Sequence, residues 1–102
     1  MAEPESAFHV SYPERVRTAL KEMAQRAHAV GQAGKLLAAL RAIDTRLQQD
    51  PRSFGEPTYN YVHLKLVLHV AIYSPLVVHF TVHQELPQVY VKLIETLPRQ
   101  GF

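Results

Sequence analysis

The chain has 102 residues, 47% hydrophobic and 20% charged, with a formal net charge of +2. That length holds one domain, 1–102, and that balance excludes a disordered chain. The absence of cysteine excludes disulfides, thiolate metal sites and a cysteine nucleophile, and favours the cytoplasm.

Residues 1–7 are small, acidic and proline-containing, which predicts a flexible N-terminus without the basic and apolar regions of a signal peptide. Phe8, Val10 and Tyr12 alternate with His9 and Ser11, as in a short strand. Ser11-Tyr12-Pro13-Glu14 fits a capping box with proline in the first turn. Val16, Leu20, Met23, Ala27 and Val30 then form one helical stripe, and Gly31 and Gly34 mark a break. Leu36/Leu37, Leu40, Ile43 and Leu47 form a second stripe, ended by Asp50-Pro51. Residues 13–50 therefore predict an antiparallel helical hairpin.

Residues 51–60 read as a turn-rich loop. From 61 to 97 the period is two, which predicts a three-stranded antiparallel meander. Val62, Leu64, Leu66, Leu68, Val70 and Ile72 form the apolar face of its first strand, and Leu76, Val78, Phe80 and Val82 that of the second. A two-residue loop would place Leu76 opposite Tyr73 and mix these faces. A loop of 73–75 pairs Ile72 with Leu76 and keeps apolar opposite apolar, so that register is expected. It also sets His69 opposite His79 and Lys65 opposite His83. The expected fold is α+β, a helical hairpin packed on a small antiparallel sheet in the order β-α-α-β-β-β. No segment reaches the ~20 apolar residues that cross a membrane, because His63, Lys65 and His69 interrupt Val62–Ile72.

Four of the six histidines lie on the expected polar face, with Lys65, Thr81, Tyr90 and Lys92. His69, His79 and His83 are the catalytic candidates, since histidines near neutral pKa serve as acid and base. Lys65, Lys92 and Arg99 are candidates for holding phosphate or nucleic acid. Ordinary solvation of a sheet face explains the same residues. No metal site is expected, because His79 and His83 are ~13 Å apart along one strand. No cofactor is expected either, as there is no glycine-rich phosphate loop. Val67, Ala71, Val77 and Tyr90 place apolar surface among these polar groups and are expected to bind a partner, as are the open strand edges. The hairpin carries Arg15, Arg17, Lys21, Arg26, Lys35, Arg41 and Arg46 against Glu14, Glu22, Asp44 and Asp50, a basic bias suited to nucleic acid or an acidic segment.

From about Phe8 to Leu97 this order of elements resembles the RelE/ParE superfamily, the toxins of type II toxin–antitoxin (plasmid-stabilisation) systems. Ile43-Asp44-Thr45-Arg46-Leu47 before Asp50-Pro51, the Phe54-Gly55-Glu56-Pro57 loop and the hairpin Val70–Val82 carry the resemblance. The long paired helices look more like the ParE side. The resemblance implies a toxin acting on RNA at the ribosome or on a topoisomerase, neutralised by an antitoxin. The family hairpin commonly reads Gly-x-Tyr-Arg-x-x-Tyr. Here it is Ser74-Pro75-Leu76-Val77-Val78-His79-Phe80, with valine in place of arginine. The family's basic, tyrosine-bearing tail corresponds here to Glu95–Phe102, which has no tyrosine. Ribonuclease chemistry is therefore left open, and the alternative is a non-catalytic interaction module on the same fold, dimeric and without toxicity.

Overall fold

The computed structural model describes residues 7–98; the expected flexible terminus lies almost wholly outside the described residues. The chain is α+β, with two helices and a five-stranded mixed sheet. Strand β1 (His9–Ser11) leads into helices α1 (Glu14–Ala29) and α2 (Ala33–Gln49), followed by β2 (Glu56–Tyr61), β3 (Leu66–Tyr73), β4 (Leu76–His83) and β5 (Gln88–Thr96). The sheet order is β1-β5-β4-β3-β2.

Both helices bury the stripes that their spacing predicts. Val16, Met23 and Ala27 of α1 and Leu36, Ile43 and Leu47 of α2 are buried, joined by Ala39. Val30 and Leu37 are exposed at the ends of their stripes. The expected capping box does not form: Ser11 belongs to β1, and Pro13 is the N-cap with no side-chain cap bond. Gly31, at φ +73°, turns the chain between the helices. Asp50 caps α2, and buried Pro51 starts a single 3-10 turn.

Four expectations for the sheet are corrected. The sheet is mixed rather than antiparallel, because β1 runs parallel to β5 with Val10 opposite Val89. The supposed loop 51–60 holds all but Tyr61 of β2, an edge strand antiparallel to β3, so the expected element order is one strand short. The Tyr61–Tyr73 strand is also interrupted, by a 3-10 turn at Val62–Leu64 and by Lys65 in a left-handed conformation.

The fourth correction is register. Tyr73 pairs with Leu76 across Ser74-Pro75, whose peptide is cis, so His69 faces Phe80, Ala71 faces Val78 and Ile72 faces Val77. This is the two-residue loop that mixes the faces. Its physical reason is the path of the Phe54-Gly55 segment. A Cβ built on Gly55 would stand 2.4 Å from the Val70 carbonyl oxygen and 2.7 Å from the Ala71 Cβ. Backbone passing that close leaves room only for a small residue, and Ala71 supplies it. His69 lies flat against Phe80, with ring centroids 5.3 Å apart, and Phe80 stacks on Phe54 at 5.9 Å. The bulkier set, Leu66, Leu68, Val70 and Ile72, is turned to the other side.

The core lies between the helices and one face of the sheet. Ala71, Leu76, Val78, Phe80, Val82, Val89, Val91 and Ile94 meet the two helical stripes there. A bulge in β5 opposite His79/Phe80 lets both Val91 and Ile94 point inward. Tyr12 secures β1 to α2 by donating to Asp44 Oδ1 at 2.5 Å. Among the described residues no helix is long and apolar enough to cross a membrane.

Candidate functional site

The helices cover one face of the sheet, and alternation puts the remaining side chains on an open face. Two regions divide that face. Toward the β3–β4 turn it is apolar: Ile72 is 64% exposed and Leu93 44%, beside half-buried Leu68, Val70 and Val77. His79 lies among them and meets Glu95, Nε2 to Oε2, at 3.2 Å. Exposed pairs of this kind contribute about 0–1 kcal/mol.

At the other end the open face holds a cavity of about 370 Å³. The β5 bulge brings Lys92 beside it; Tyr90 stands on β5 next to Thr81, and Tyr61 reaches in from β2, beyond Leu66 of β3. Leu64 and Leu66 complete its apolar wall. Such a mainly apolar recess with a few polar groups has the character of a small-molecule site. Thr81 is 2% exposed, and its hydroxyl has no hydrogen-bond partner among the described residues. An unsatisfied buried hydroxyl costs about 1–3 kcal/mol.

The hydrogen bonds around His83 assign its tautomer. Its Nδ1 accepts from the backbone N–H of Glu85 and of Leu86, both at 3.0 Å. With Nδ1 accepting, the ring proton of the neutral imidazole sits on Nε2, leaving that nitrogen a donor. Arg52 donates from Nη2 to the His83 carbonyl at 2.9 Å, and Arg15 from Nη2 to the Lys92 carbonyl at 3.1 Å. The backbone at both cavity residues is thereby tied to the helical side.

The sequence candidates separate into groups. His79 and His83 lie on the open face, whereas His69 is 5% exposed on the helix side. The expected cross-strand pairing of His69 with His79 does not occur: His69 faces Phe80, and His79 faces Val70. Burial pushes the His69 pKa below its ordinary 6.5, opposed by a hydrogen bond to the Phe54 backbone, and His69 Nδ1 has no partner among the described residues. His69 does share a groove with His83 at the strand end, lined also by Val67, Arg52 and Gln84. Lys65 lies outside β3, so it does not face His83; its ammonium meets Glu85 Oε2 at 2.9 Å. Lys92 lines the cavity, as does Tyr90, whose hydroxyl donates to Gln88 Oε1. Arg99 lies outside the described residues.

Of the expected partner-binding residues, Val77 and Tyr90 are on the open face. Ala71 is 1% exposed and packs in the core, so it presents no surface, and Val67 is half-buried on the helix side. Sequence reasoning missed Tyr61, Leu64 and Leu66 as cavity residues. The alternation of Tyr59 and Tyr61 was the available signal; their rings meet edge to face at 4.7 Å. No three His, Cys, Asp or Glu side chains cluster as a metal site among the described residues.

No protein-family model matches the chain, and no curated protein matches it in sequence.

Proposed function

We propose that this protein is a RelE/ParE-like toxin-type component of the cytoplasm, which acts by binding through its open sheet face and is held by an antitoxin covering that face. The observation that carries this reading is the apolar end of the open face, with Ile72 64% and Leu93 44% exposed. An apolar patch on a sheet whose other side already holds the core marks a protein contact. The paired helices and the β3–β4–β5 meander also support it.

A binding mode is favoured over ribonuclease chemistry. Val77 stands where the resembled hairpin carries arginine, and His69 is on the opposite face from His79. The target classes are then a topoisomerase or the ribosome with its RNA. The test is inducible expression with growth and total RNA read from the same culture. Arrest with intact RNA is the expected result. Arrest with cleaved messages replaces binding by ribonuclease action, and unaffected growth at confirmed soluble expression removes toxicity.

The second reading is a non-catalytic interaction module, a homodimer without toxicity. The same exposed Ile72 and Leu93 favour it, since a second copy would bury them equally well. Unaffected growth together with a dimeric mass in solution is its signature.

A further inference from the structure

We propose that the cavity between Tyr61 and Tyr90 binds a small organic anion with a flat apolar body, a carboxylate being the simplest case. This goes beyond the protein-binding reading, because the cavity is a separate place on the sheet. Leu66, in its wall, is six residues along β3 from Ile72, about 20 Å away at strand rise.

The composition of the walls selects the ligand. Tyr61, Tyr90, Leu64 and Leu66 offer ring and aliphatic surface, which suits a planar apolar group. The polar groups are chiefly donors. Lys92 contributes an ammonium that no carboxylate pairs among the described residues, whereas the neighbouring Lys65 is taken by Glu85. His83 keeps a proton on Nε2 because two backbone N–H groups occupy Nδ1. The Thr81 hydroxyl is buried at the cavity floor and has no hydrogen-bond partner among the described residues. No acidic side chain lines the cavity. Donors without acidic acceptors favour an anion over a cation, and the volume of about 370 Å³ limits it to a small molecule.

Indole-3-acetate, indole-3-acetamide and tryptamine share one ring system and differ in charge. Each is titrated into the purified full chain and followed by backbone amide NMR. The acetate should bind about tenfold or more tighter than the amide, as expected for a charge-assisted contact, with the amine weakest. Shifts should centre on Leu66, Thr81, His83 and Tyr90. Lys92→Met should bring the acetate down to the level of the amide. Thr81→Val should weaken the acetate at an unchanged or raised thermal midpoint, because it removes an unsatisfied buried hydroxyl. Equal affinity for the three probes, shifts centred on Ile72 and Leu93, or unaltered binding by the Lys92 variant would each overturn the proposal. Lys92 is exposed, so its variant tests the site even where the Thr81 variant fails to fold. The assay uses neither cells nor a partner protein, so its outcome is independent of growth arrest.

Discussion

At Gly55 the backbone stands at φ +75°, and a Cβ there would overlap the Val70 carbonyl oxygen. Gly31 has a similar φ of +73° but no atom within 4 Å of its Cβ position. The two glycines therefore separate conformational cost from steric cost. Gly31→Ala should lose about 1 kcal/mol, the left-handed penalty alone. Gly55→Ala should lose about 3 kcal/mol or more, because backbone atoms must move as well. Urea unfolding of both variants measures the difference; equal losses would show that β3 yields to a methyl group. His69 contributes a second residue-scale effect, in pH. Burial lowers its pKa in the folded state, so below the ordinary value of 6.5 the unfolded chain takes up the proton first. Stability is fully present above that value and is lost as pH falls below it toward the lowered folded value. The urea midpoint should therefore drop as pH falls below about 6.5, and His69→Gln should lessen the drop. An identical drop in the variant would assign the effect to other groups.

The helices were legible in the sequence because each element carries its own evidence. Val16, Met23 and Ala27, and Leu36, Ile43 and Leu47, recur at helical spacing and are buried at that spacing. The sheet was less legible because its faces depend on what packs against them. Leu66, Leu68, Val70 and Ile72 outrank Val67, His69 and Ala71 in hydrophobicity, yet the close passage of Gly55 reserves the inner face for the smaller set. β1 has three residues and pairs with a strand at the far end of the chain, so local pattern carries no sign of its parallel direction. For the cavity, His83, Tyr90 and Lys92 were legible as residues of one face. Tyr61 was read as the start of the first meander strand, whereas it ends β2 and reaches the cavity from there, opposite Leu66. The observed register has a direct consequence for substitution. Ile72→Glu should change stability by no more than ~0.5 kcal/mol, since its side chain meets solvent. Ala71→Glu should cost about 3 kcal/mol or more, by forcing a carboxylate into the core. Thermal and urea unfolding of the two variants decide it. The reverse order would restore the register with Ile72 opposite Leu76.

Across the whole molecule, order is graded from the centre of the sheet outward. β4 is paired on both sides, by β3 and by β5, and its inward residues Leu76, Val78 and Phe80 are fully buried. β2 is paired on one side only, and its residues are exposed or, at Tyr61, half-buried. Its pairing is also broken by the shift between Pro57 and Tyr59. An edge strand with so little buried surface opens without unfolding the rest. Native-state hydrogen exchange should then show the amides of Phe80 and Val82 exchanging only through global unfolding. Those of β2 should exchange at least ~100-fold faster. The comparison bears on function, because Tyr61 reaches the cavity from β2 while Thr81, His83 and Lys92 stand on the strands at the centre. A fast-opening β2 makes Tyr61 a movable wall beside a fixed floor of donors. Indole-3-acetate in the cavity should therefore slow exchange in β2 while leaving Phe80 and Val82 limited by global unfolding. Uniform exchange across β2 and β4 would instead make the sheet one cooperative unit, with Tyr61 as rigid as Thr81.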